Sequence, residues 1–222
     1  LETKCNEVDL SKAPYAYNGT VLSGYLKLGK GSSALGFIFY GKENVERSKL
    51  NTVPTVIWLN GGPGSSSQLG NLMELGPFWI VESTTGKPYD IVRNNYAWTK
   101  NYNILFVDQP VGTGLSYADP GFPKAYVTNM EEVGADFYAA LKELYLNPNG
   151  CFYRINIRGE HPLFVFGESY AGLVAHTRKL VQIQRAAREA QVEAEQRAQQ
   201  TERVRKMLLS FSRDLRVVLL RL

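Results

Sequence analysis

The chain has 222 residues, enough for one large domain or two small ones, with 44% hydrophobic and 21% charged residues. That balance excludes disorder or collagen-like structure for the whole chain, and no apolar run is long enough for a membrane-spanning helix. The net charge of +4 conceals an asymmetry: residues 1–172 carry a net of −2, and residues 173–222 a net of +6.

All 20 glycines, all 10 prolines and every aromatic residue but Phe211 lie in the first 172 residues. The chain therefore divides into two compositions, 1–172 and 173–222. Leu1 opens it without a charged-then-apolar leader, so a mature form, a recombinant form or a fragment is expected. Asn18-Gly19-Thr20 fits the N-glycosylation sequon, a weak pointer to secretion. Cys5 and Cys151 are too few for a disulfide scaffold or a cysteine zinc site, and the sequence leaves their pairing open.

Val21–Lys27 and Ala34–Tyr40 are rich in aromatic and branched residues and flank a Gly/Ser stretch, which predicts an antiparallel hairpin. Thr55–Leu59, Asn103–Val107 and Leu163–Phe166 are continuous apolar runs, as expected of strands buried on both faces of a parallel sheet. Each run feeds a turn-forming or glycine-rich segment. Between the second and third, Asn129–Leu146 places Val133, Phe137, Leu141 and Leu144 at helical spacing, before the breakers Asn147-Pro148-Asn149-Gly150. Strand, loop, helix and strand predict an α/β sheet with functional loops at the carboxyl ends of its strands.

The third strand runs into Gly167-Glu168-Ser169-Tyr170-Ala171-Gly172. A serine on a tight strand-to-helix turn between small residues is a nucleophile elbow, here with alanine where the common pattern has glycine. Asn60-Gly61-Gly62-Pro63-Gly64 follows the first buried strand, and its backbone N–H groups could face an anion, although glycines alone equally mark an ordinary turn.

Residues 173–222 lack Gly and Pro and favour helix formers, predicting a long basic helix. Thirteen positions at 3–4 spacing run from Leu180 to Leu222, and all but Arg197 and Thr201 are apolar. That seam fits a coiled coil or a helix laid on another surface, and so a helical protein partner. Its nine arginines read first as a solvated face, with a nucleic-acid or acidic-membrane partner ranked below.

VIWLNGGPGSSS (56–67), ELGPF (74–78), ILFVDQPVGTGLSY (104–117) and FVFGESYAG (164–172) together resemble the serine carboxypeptidases, a branch of the α/β-hydrolases. The resemblance covers about residues 12–172, with the tail unlike the family. It implies the N-terminal part of an α/β-hydrolase fold, with no metal or cofactor. It implies Ser169 as acyl-forming nucleophile and the backbone N–H groups of Gly62 and Tyr170 as oxyanion hole. Asn60, Gly61, Glu74 and Glu168 would bind the free carboxylate of a peptide C-terminus, with Trp58 in support. Glutamates around a carboxylate need a shared proton, which implies work at acidic pH. Ser65 departs from the family, where many members carry a disulfide cysteine. The resemblance also implies a secreted, vacuolar or lysosomal setting.

A serine nucleophile needs a base and an orienting carboxylate, in the order Ser, Asp or Glu, His for this fold. His176 lies about two helical turns beyond Ser169, leading away from it. His161 precedes the nucleophile strand and would sit at its far end. The resemblance places the family's Asp and His in a half not found here, so the chain alone is expected to be inactive. The competing expectation is a non-catalytic scaffold or pseudoenzyme.

Overall fold

The structure, a computed structural model, describes residues 5–12, 16–157, 161–175, 196–197 and 199–206. β1 (Cys5–Glu7) is a short strand paired antiparallel with β2 (Val21–Lys27), and β2 makes the expected hairpin with β3 (Ala34–Tyr40). The hairpin turn sets Gly29 and Gly31 at φ +71° and +59°, the left-handed region that glycine enters without a Cβ clash. β4 (Thr55–Leu59) is followed by a π-helical turn at Gly70–Leu75, then by a separate hairpin of β5 (Phe78–Val81) and β6 (Asp90–Arg93). β7 (Asn103–Val107), α1 (Met130–Leu146), α2 (Cys151–Arg154), β8 (Leu163–Gly167) and α3 (Ala171–Ala175) complete the order. The β5–β6 hairpin has no counterpart among the elements expected from sequence.

The main sheet runs β1-β2-β3-β7-β4-β8. Its first four strands pair antiparallel, whereas β4 pairs parallel with both β7 and β8. Side chains alternate across a strand, and this divides the apolar residues into two cores. Phe37, Phe39, Ile57, Leu59, Leu105 and Val107 face the helices, meeting Phe137, Leu141 and Leu144 of α1 and Phe152 of α2. Val21, Tyr40, Ile104 and Phe106 face the other way, against Tyr17, Phe78 and Trp98. Burying each such side chain stabilises the fold by roughly 1.5–3 kcal/mol before entropy is counted.

α1 starts where its sequence says it should. The Asn129 side chain accepts the Glu132 N–H at 3.0 Å, and Glu132 reaches back to the Thr128 N–H at 2.7 Å. Such a cap satisfies amides that the helix cannot satisfy itself. Val133, Phe137, Leu141 and Leu144 are all buried. Lys30, in the hairpin turn, pairs with Asp136 of α1 at 2.8 Å. Burial pushes the Asp136 carboxyl above its usual range, and the lysine opposes that shift. β7 is anchored at its start by buried Asn103, which donates to the carbonyls of Leu50 and Val53 at 2.9 and 2.8 Å.

The expectation of two buried faces holds for β4 and β7 but fails for β8. Phe164 and Phe166 are 49% and 46% exposed. Only Leu163 and Val165, on the helix side, pack against the main core. β8 is the end strand of the sheet, and among the described residues nothing pairs with its outer edge. Most of the predicted 173–222 helix lies outside the described residues, so no long C-terminal helix is carried into this fold. The described pieces 196–197 and 199–206 are helical, and Val204 of the predicted seam is 46% exposed.

Candidate active site

Three loops meet where the parallel strands end. The turn after β8 holds Ser169 at φ +53°, a left-handed conformation that non-glycine residues rarely adopt. Such strain concentrates at functional turns. The serine is exposed, whereas Ala171, two residues on, is fully buried. A Cβ on Gly167 would meet the Ala171 carbonyl carbon at 2.5 Å, so only glycine lets α3 fold back this tightly. The alanine that departs from the common elbow pattern has a packing role, because Ala171 joins the main core.

The loop after β4 lies against this elbow. A Cβ on Gly61 would stand 2.9 Å from the Ser169 Cβ and 3.2 Å from the Tyr170 nitrogen. Gly62 follows at φ +107°. Among the described residues, no hydrogen bond engages the N–H of Gly62 or of Tyr170.

Asn60 joins the two loops. Its side-chain N–H donates to the Glu168 carboxylate at 3.0 Å. Its side-chain oxygen accepts from the Trp58 indole at 2.9 Å and from the Gly70 N–H at 3.1 Å. Trp58 in turn stacks edge-on with Trp98, ring centres 5.8 Å apart. The structure thus brings together Trp58, Asn60, Gly61, Glu168, Ser169 and Tyr170. Glu74 belongs to the exposed end of the π-helical turn, where its backbone carbonyl accepts from Trp79 and Asn94. Its carboxylate makes no hydrogen bond to Asn60 or Glu168. Asn18 is exposed and donates to the Asn44 side chain at 2.6 Å.

Sequence pattern assigned no role to the residues that hold the glycine loop in place. Asp108, at the end of β7, is fully buried. It accepts from the Ser66 hydroxyl at 2.8 Å, the Ser67 N–H at 2.7 Å and the Leu115 N–H at 2.8 Å. The Ser67 hydroxyl accepts the Asn60 N–H at 3.1 Å. Gly70 is obligatory as well, since a Cβ there would lie 2.3 Å from the Trp58 indole nitrogen. The signal that could have found them was an aspartate ending a fully apolar strand, together with a run of three serines.

His161 lies where the sequence placed it, at the opposite end of β8 from Ser169. Its Nδ1 faces the Asn51 carbonyl at 3.0 Å and its Nε2 the Thr55 hydroxyl at 2.9 Å. The carbonyl can only accept, so Nδ1 carries the proton and Nε2 accepts from Thr55. Burial holds this imidazole below the usual histidine range. His176 lies outside the described residues.

The sequence profile of the serine carboxypeptidases matches residues 13–193, past the compositional change at residue 172. The chain is 37% identical over 150 residues to serine carboxypeptidase-like 50 of Arabidopsis thaliana, covering 68% of this chain and 31% of that one. It is 40% identical over 156 residues to the lysosomal protective protein of Mus musculus, covering 70% and 29%. The structure of a prohormone-processing carboxypeptidase from Saccharomyces cerevisiae superposes with a TM-score of 0.54 at 30% identity, over 73% of this chain and 34% of that one. The chain thus spans about a third of the length of these relatives.

Proposed function

The chain belongs to the serine carboxypeptidase family, and on that premise we propose that its loop cluster is the nucleophile-and-anion half of a C-terminal peptidase site. The observation that carries this reading is Ser169 at φ +53° with the Gly61–Gly62 loop pressed against its turn. Ser169 attacks the last peptide carbonyl and forms an acyl-enzyme, which water then hydrolyses. The N–H groups of Gly62 and Tyr170 receive the oxyanion. Asn60 and the Gly61 backbone, with Glu168 and Glu74, receive the substrate's C-terminal carboxylate. Glutamates around a bound carboxylate need a shared proton, which favours acidic conditions.

No base among the described residues reaches Ser169, so this chain by itself turns over peptide very slowly. Losing a triad's base costs on the order of a million-fold. The family setting favours a secretory, vacuolar or lysosomal compartment, where exposed Asn18 accepts a glycan. A second reading, a non-catalytic scaffold, draws on the open groove of about 630 Å³ beside β8, lined by Trp98, Phe164 and Phe166. In that reading a protein partner, which residues 173–222 help to engage, occupies the groove.

The test compares one peptide with a free C-terminus and the same peptide amidated. The free acid is expected to bind at least tenfold more tightly at pH 5, with the preference lost in Asn60→Leu. No residue is expected to be released above a Ser169→Ala control. Equal binding of the two peptides would remove the carboxylate site. Serine-dependent release within a hundredfold of a typical enzyme, about 10 per second, would show that a base is present in the chain.

A further inference from the structure

Cys5 and Cys151 are far apart in sequence and play no part in the site. Cys5 opens β1, and its partner across the strand pair is Gly24 of β2. Directly opposed residues share a face of the sheet. Leu22 and Leu26, two positions either side of Gly24, belong to the core on the helix side, so Cys5 projects toward that layer. Gly24 contributes no side chain and is itself buried.

Cys151 belongs to the same helix-side core. It is the first residue of α2 and is fully buried. The next residue, Phe152, stacks edge-on against Phe39 and Tyr145, with ring centres 4.9 and 5.0 Å away. These contacts fix α2 under the sheet. Cys5 packs against the same core cluster, and the two thiols are near enough for each to shift the ionisation of the other. Both are reduced here.

We propose that Cys5 and Cys151 are a disulfide-forming pair that staples the N-terminal edge strand to the helical layer. The two cysteines are unequal in a way that suits stepwise closure. The neighbouring Cys151 holds the Cys5 thiol below its usual range, with Arg154 and Arg47 adding to the effect and burial opposing it. The same contact, with burial, holds the Cys151 thiol high. Cys5 is also the half-exposed member. A thiolate is the attacking species in exchange.

The co-reactant is a small-molecule disulfide such as oxidised glutathione. The Cys5 thiolate attacks one of its sulfurs, forms a mixed disulfide and expels one thiolate. Cys151 then loses its proton to solvent and attacks the Cys5 sulfur. The Cys5–Cys151 bond forms and the second thiol leaves. Two electrons pass to the reagent, which is reduced to two thiols.

The experiment equilibrates the full chain with oxidised glutathione, quenches it with iodoacetamide in denaturant and maps the peptides by mass. The expected result is loss of both alkylation sites and one cross-linked peptide joining Cys5 to Cys151 within a single chain. Dithiothreitol should lower the melting temperature of the oxidised chain by roughly 10 °C, since the closed loop is long. It should leave C5S/C151S unmoved. Two thiols that stay alkylatable after equilibration, or a cross-link found only between chains, would overturn the proposal. Peptide mapping needs no variant, so the outcome stands even where a serine substitution impairs folding.

Discussion

β7 and β8 have nearly interchangeable sequences, NILFV and LFVFG, and both run parallel to β4. Yet all five residues of β7 are buried, while β8 alternates between half-buried and exposed. β7 has β3 on one side and β4 on the other; among the described residues β8 has β4 alone. An apolar run therefore reports that a strand is built to be covered on both faces. It does not report whether the covering is present. The apolar face of β8 is written for a neighbour that the described residues do not supply.

Amide exchange should draw this contrast most sharply. The Pro162 carbonyl and the Glu168 N–H both face β4. By strand alternation the Val165 N–H faces outward, while those of Phe164 and Phe166 face in. Exchange at Val165 is expected to be at least about a thousandfold faster than at Leu105, which opens only with the whole fold. Slow exchange at Val165, read by NMR or mass spectrometry, would mean that something covers the edge.

Side-chain truncation comes next in size. Phe106→Ala, in the centre of the sheet, is expected to cost about 3–5 kcal/mol by urea titration. Phe166→Ala, half-exposed and stacked edge-on against Trp98, is expected to cost less than about 1 kcal/mol. Equal losses would break the comparison and show that the groove is filled in solution.

The smallest effect concerns how β8 is anchored. Asn103 holds the start of β7 with an uncharged amide, whereas His161 precedes β8 with a group that titrates. Because its folded pKa is depressed, its stabilisation is complete above the unfolded value of about 6.5. It declines as pH falls toward the folded value, where both states bind the proton. The urea midpoint is expected to drop between pH 7.5 and 5.5, and to drop less in His161→Gln. An identical drop in both proteins would remove His161 as the source.

The elements visible in the sequence were those whose cause is local. The hairpin follows from two runs of aromatic and branched residues around Gly29 and Gly31, and α1 from four spaced apolar residues ahead of a breaker cluster. The elbow was legible because Gly167, Ser169 and Ala171 act within one turn. The Asp108 hub was not, since Ser66 and Ser67 lie more than forty positions before it. Gly70 was missed for a related reason: its requirement arises from the Trp58 and Asn60 side chains, which the connection after β4 folds back to meet. The approach of Cys5 to Cys151 lay beyond any spacing rule, because each reaches the helix-side core from a different element.

The strand order β7-β4-β8 has a consequence for how the protein is made. β4 is synthesised first and then waits for both its neighbours. The Asn60–Glu168 bond spans 108 residues. At a synthesis rate of roughly 5–20 residues per second, that separates the two partners by about 5–20 seconds. Over that interval the glycine loop exists without the elbow it is shaped against, and β4 presents both edges to its surroundings on the ribosome. Nascent-chain chaperones therefore meet this protein when an apolar central strand is complete and its two neighbours are not.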